Sequence, residues 1–164
     1  MSADCLLAVF ARYPEPGGVK TRLAEGVGAP AACALYRGMV ERTLRSADRW
    51  ARGAGRSVRI YSTIPPGARW YDWLGRDRDI RPQEGAGLGA RMHNALADGL
   101  REGFARALCV GTDLPGLTAE HIHAAEERLK QADVVAGPSR DGGYYLIGLR
   151  RSAPELFEEI PWST

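Results

Sequence analysis

Short apolar runs, regularly interrupted by amphipathic stretches, limit what this chain can fold into. Cys5 to Ala11, Ser57 to Thr63, Ala107 to Thr112, Ala132 to Gly137 and Tyr144 to Leu149 each have the length of a strand, and Asp79 to Pro82 is a weaker candidate. Pro30 to Ala51 carries Leu35, Tyr36, Met39, Val40, Leu44 and Ala47 at helical spacing. Leu88, Met92, Leu96, Leu100 and Phe104 mark a further helix, and Trp70 to Leu74 a short helical turn. Thr118 is placed as the N-cap of another helix, with Ile122, Ala125 and Leu129 on its core face. Runs that are apolar throughout, rather than alternating, belong to strands covered on both faces. The pattern therefore predicts an α/β fold: a mostly parallel, twisted sheet covered by helices on both faces. The 164 residues fit one domain spanning 1–164. A domain of that size buries roughly 70% of its unfolded surface, enough to fold without a disulfide or a metal.

Charge and cysteine usage narrow the partners. The net charge of +2 is too balanced to imply nucleic-acid or membrane binding. Cys5, Cys33 and Cys109 are an odd count without C-x-x-C spacing, which argues against a disulfide framework or a zinc site. Cys5 and Cys109 lie in apolar runs and read as buried thiols, which fits a reducing compartment. No run is apolar for the ~18 residues of a membrane span. The start lacks the charged and apolar regions of a signal peptide, so the expected location is cytoplasmic.

The chemistry gathers where strands end. Gly17-Gly18-Val19-Lys20-Thr21-Arg22 follows the first strand. Its glycines let backbone N–H groups approach a phosphate, and Lys20 and Arg22 add charged donors. It is not a P-loop, because Val19 stands where that motif has glycine. Gly111-Thr112-Asp113-Leu114-Pro115 closes the fourth strand on a carboxylate, and Ser139-Arg140-Asp141-Gly142-Gly143 closes the fifth on another. Asp113 also suits a turn or helix cap, and Asp141-Gly142 a hairpin turn. Taken together at the carboxyl ends of strands, where open α/β sheets bind ligands, they favour a shared Mg²⁺ or Mn²⁺.

Gly85-Ala86-Gly87-Leu88-Gly89-Ala90 matches the dinucleotide fingerprint G-x-G-x-x-A, yet the preceding Ile80-Arg81-Pro82-Gln83-Glu84 is polar and contains proline. An oxidoreductase site is therefore disfavoured, although Gly85 and Gly87 can still contact a nucleotide. Trp70, Tyr71 and Trp73 read as a satellite core cluster rather than a base-stacking platform.

Phe10-Ala11-Arg12-Tyr13-Pro14-Glu15-Pro16-Gly17-Gly18-Val19-Lys20-Thr21-Arg22-Leu23 resembles the opening signature of a bacterial glycosyltransferase-like family, the selenodomain-associated or arsenosugar-biosynthesis transferases. Gly111 to Leu117, Gly137 to Leu149 and Ile160 to Thr164 resemble three further signatures. The resemblance implies the GT-A fold of nucleotide-diphospho-sugar transferases and a nucleotide or nucleotide-sugar substrate. Carried over, Phe10, Ala11, Arg12, Gly17, Gly18, Lys20, Arg22, Gly85 and Gly87 would bind nucleotide. Lys20, Arg22 and Asp113 would act in catalysis, and Asp113 and Asp141 would hold Mg²⁺ or Mn²⁺. Asp113 stands for the last acid of the glycosyltransferase D-x-D motif, whose first position here is Gly111. Gly87 stands where family members often have an acid, and relatives continue beyond the position of Thr164. The implied activity is metal-dependent glycosyl transfer from a nucleotide sugar. Nucleotidyl transfer from an NTP and a catalytically silent nucleotide-binding subunit are the alternatives.

Overall fold

The computed structural model describes residues 4–158, 160 and 161; Trp162 to Thr164, the end of the fourth signature, lie outside them. The strands are β1 (Cys5–Ala11), β2 (Arg56–Ser62), β3 (Ile80–Pro82), β4 (Arg106–Val110), β5 (Val134–Pro138) and β6 (Tyr144–Leu149). The helices are α1 (Thr21–Val27), α2 (Ala29–Ala51), α3 (Ala68–Leu74), α4 (Leu88–Arg101) and α5 (Ala119–Arg128). One sheet forms in the order β3-β2-β1-β4-β6-β5. β1 pairs in parallel with both β2 and β4, and β6 alone runs antiparallel to its neighbours β4 and β5. β1 is therefore central and parallel to β4, the strand leading to Asp113, in the mostly parallel sheet that the apolar runs imply.

Alternation along β1 divides the core. Cys5, Leu7, Val9 and Ala11 face one cluster with Val40 and Leu44 of α2, Trp70 of α3, Ile122 of α5 and Leu129 just after it. Leu6 and Ala8 face the other, with Met92, Ala95 and Leu96 of α4. Both sheet faces are thus covered, which is why β1 is apolar at every position and not at every second one. Trp70 and Trp73 join the first cluster: they stack at 5.6 Å, and Tyr13 sets its ring edge-on to both. Cys5, Cys33 and Cys109 are buried free thiols, and burial pushes the Cys5 and Cys109 thiols up to about 12.

Among the described residues, Arg59 on β2 is the buried cation, 4% exposed. It donates to Glu102 Oε2 at 2.8 Å and to Asp79 Oδ2 at 2.8 Å. The hydrogen bond from Arg59 holds the Glu102 carboxyl below its usual range. Folded Glu102 therefore holds fewer protons than unfolded Glu102, and its contribution to stability is complete above the ordinary glutamate pKa and is lost as pH falls through the lowered folded value. Glu102→Gln should cost about 1–2 kcal/mol at neutral pH, at the low end for a charged hydrogen bond because the glutamate is partly exposed. Urea titrations at pH 7 and pH 3 check this: the difference from wild type should shrink at pH 3. An equal difference at both would remove Glu102 from the account.

Candidate functional site

Chain order reverses direction between β1 and β4, because β2 and β3 lie on one side of β1 while β4, β6 and β5 lie on the other. Open α/β sheets bind ligands at the carboxyl edge of such a switch point, where loops leaving in opposite directions open a crevice. A pocket of about 560 Å³ lies there. It is lined by Phe10, Ala11 and Arg12 from the end of β1, by Gly111, Thr112 and Asp113 after β4, and by Val19 and Lys20 from the loop before α1. Thr63, Gln83, Gly87, Leu88, Arg91 and Tyr36 complete it.

The loop after β1 turns at Pro16-Gly17, the residue order of a type II turn: Gly17 has φ +79, and Gly18 N–H donates to Glu15 O at 2.9 Å. It ends at Lys20, the N-cap of α1, with φ 51 and ψ 45. Lys20 is the one non-glycine residue with positive φ among those described. From this left-handed backbone its ammonium reaches Asp113 Oδ1 at 2.8 Å. The lysine side chain is 27% exposed and the aspartate 70%.

Tyr36 fastens the two strand ends that flank the crevice. Its hydroxyl accepts Arg12 N–H at 2.9 Å and Thr112 Oγ1–H at 3.2 Å, both across long sequence separations. The far wall is the start of α4, whose N-cap Gly87 is extended and bears no capping side chain. The first turn of α4 contains no acidic residue, and Gly87, Leu88 and Arg91 at this positive end of the helix line the pocket. Gln83 is fixed by donating Nε2–H to Tyr61 O at 3.0 Å, and Arg91 by donating Nε–H to Gly85 O at 3.1 Å.

Of the residues singled out in the sequence, Phe10, Ala11, Arg12, Lys20, Gly87 and Asp113 line this pocket. Gly17, Gly18 and Gly85 shape its loops without lining it. Arg22 lies on α1, exposed and outside the lining. Asp141 sits in the turn joining β5 and β6, at the same sheet edge as Asp113 but outside the lining. Its carboxylate accepts the Ser139 hydroxyl and the Gly143 N–H, which hold it below the usual aspartate range. Among the described residues, no group of three or more His, Cys, Asp or Glu side chains forms a metal-binding cluster. Thr63, Gln83, Arg91 and Tyr36 were not foreseen as site residues.

Residues 46–164 match the model of a family described as an uncharacterized protein conserved in bacteria, DUF2064. A solved structure from Desulfovibrio desulfuricans, described as a candidate nucleotide-diphospho-sugar transferase, is 36% identical. It aligns over 99% of this chain and 71% of its own, with a TM-score of 0.88. 4-Diphosphocytidyl-2C-methyl-D-erythritol synthase from Anaerococcus prevotii shares the fold at 12% identity, with a TM-score of 0.55 over 98% of this chain and 79% of its own. CMP:2-keto-3-deoxy-manno-octonic acid synthetase, complexed with CTP, does so at 12% identity, with a TM-score of 0.51 over 98% of this chain and 80% of its own. No curated protein matches the chain. No helix among the described residues is long and apolar enough to cross a membrane.

Proposed function

The chain belongs to this bacterial family and has the nucleotide-diphospho-sugar transferase fold, and from that premise we propose that it is a metal-dependent transferase moving a glycosyl group from a nucleotide sugar to an acceptor. One observation carries the reading. Arg12, Lys20, Arg91, the start of α4 and a single carboxylate meet in one pocket at the switch point of the sheet. Its volume of about 560 Å³ suits a nucleotide-sized ligand. The narrower likeness to selenodomain-associated transferases, carried by Phe10–Leu23 and Gly137–Leu149, belongs to the same reading.

In this reading Lys20, Arg12 and the first N–H groups of α4 hold the diphosphate. Their charge opposes the negative charge that grows on the leaving phosphate, without reorganisation at the moment of transfer. Phe10, propped by Tyr61 at 5.6 Å, forms an apolar wall. Asp113 would hold Mg²⁺ or Mn²⁺. One carboxylate is a poor all-protein cage, but it fits a hard cation whose remaining ligands are phosphate oxygens and water. When bound, such a cation supplies Lewis-acid neutralisation of the phosphate oxygens. Asp141, at the same sheet edge and bonded within its own turn, would be the second ligand.

Nucleotidyl transfer is the second reading. The presence of Gly111 at the first D-x-D position, leaving a single acid in the lining, favours it. Product analysis after incubation with nucleotide sugars and NTPs decides. Nucleoside diphosphate is the expected product, whereas pyrophosphate selects the second reading. Metal-dependent nucleotide binding with no product across the panel would instead make the chain a silent binding subunit.

A further inference from the structure

Lys20 is assigned to the diphosphate and Asp113 to the cation, yet the two bond to each other. The ammonium lies 2.8 Å from Oδ1 of the one carboxylate in the pocket lining. We propose that the pair is a latch: Lys20 competes with the divalent cation for Asp113, and a polyphosphate opens the latch by drawing the ammonium to itself. The inference rests on the reading of the pocket as a metal-dependent polyphosphate site.

Three features support it. The lysine holds a left-handed backbone that non-glycine residues adopt at a cost, and a strained residue at a ligand site persists only where its surroundings fix it. A dication approaching Asp113 meets the ammonium on the same carboxylate, and the lining offers no second acid to hold the cation instead. The pair is also weak enough to yield. Asp113 is 70% exposed, and an exposed ion pair contributes at most about five-fold to an equilibrium constant. A polyphosphate carries more negative charge than one carboxylate and wins the ammonium. Metal and polyphosphate therefore bind with positive coupling, and the metal alone binds poorly.

The test measures Mn²⁺ binding without nucleotide, from the electron paramagnetic resonance signal of free Mn²⁺. Lys20→Gln should bind Mn²⁺ roughly five-fold more tightly than wild type. Arg12→Gln also removes a positive charge from the lining but none from Asp113, and should change the affinity less than about two-fold. The double variant Lys20→Gln/Asp113→Asn should lose the gain. An unchanged affinity in Lys20→Gln, or equal gains in Lys20→Gln and Arg12→Gln, overturns the latch. Pyrophosphate titration of the wild-type protein by calorimetry, with chelator present, separates the two levels. Pyrophosphate binding without a Lys20-specific gain in Mn²⁺ affinity removes the latch alone. Binding of neither pyrophosphate nor Mn²⁺ removes the polyphosphate site and the latch together.

Discussion

Asp113→Asn is expected to lower metal-dependent transfer by about 10²–10³-fold, the range for losing one preorganised electrostatic group at a reacting centre. The substitution keeps the shape of the side chain and removes its charge. In the pocket lining Asp113 is the single acid, so no other carboxylate of the lining can take over a hard cation. The fold should hardly notice. The side chain is 70% exposed and pairs with Lys20, so the lost ion pair is worth at most about 1 kcal/mol. In a domain of this size that shifts the melting temperature by roughly 2–4 °C. Asp141→Asn should be milder, because that carboxylate is bound within its own turn. Calorimetric titration of nucleotide with and without Mg²⁺, beside a thermal melt, checks both. An Asp113→Asn protein that keeps its metal dependence would move the cation elsewhere.

The parts of this molecule that declared themselves in the sequence are those whose physics is local or periodic. β1 and β4 read as buried strands because every side chain faces a covering helix. Thr118 read as an N-cap and is one: its backbone N–H donates to His121 Nδ1 at 3.2 Å in a capping box. α1 was invisible. It buries no residue and has no side-chain cap, so it has neither periodicity nor a start signal. It forms as a short helix between the glycine-rich loop and α2.

The site was half legible for a related reason. Glycines, cations and carboxylates beside strand ends stand out, and Lys20 and Asp113, both in the pocket lining, are of that kind. Their pairing was not visible, because it depends on the left-handed backbone at Lys20. Tyr36 counted as an apolar member of α2, and only its buried hydroxyl, which needs a partner, hinted at its bonds to Arg12 and Thr112. Thr63 and Gln83 directly follow strands β2 and β3. That position at the ligand-binding edge was the available signal, and neither residue type draws attention to it.

Gly85 and Gly87 read alike in the sequence but should respond in opposite ways to alanine. Gly85 has φ +141, and a Cβ there would lie 2.8 Å from the Arg91 backbone nitrogen and 2.9 Å from the Ala90 carbonyl carbon. Those atoms belong to the backbone of α4, so no side-chain rotation relieves the clash. The loop is also tied to that helix by Arg91 Nε–H to Gly85 O at 3.1 Å and by Asn94 Nδ2–H to Glu84 O at 2.9 Å. Gly85→Ala must therefore strain the backbone and push the start of α4 away. Overpacking and the unfavourable φ together should cost roughly 2–5 kcal/mol. The displacement should also weaken nucleotide binding by about ten-fold or more, because Gly87, Leu88 and Arg91 move with the helix start. Gly87 is extended, and a Cβ there meets nothing within 4 Å. Gly87→Ala should therefore keep its stability within about 0.5 kcal/mol after allowing for the usual glycine-to-alanine gain. Any loss it shows should be of binding alone, from a methyl group entering the pocket. Urea unfolding and nucleotide titration of the two variants side by side are decisive. Equal destabilisation, or a Gly85→Ala protein as stable as wild type, would mean that close packing against α4 is not what requires glycine at position 85.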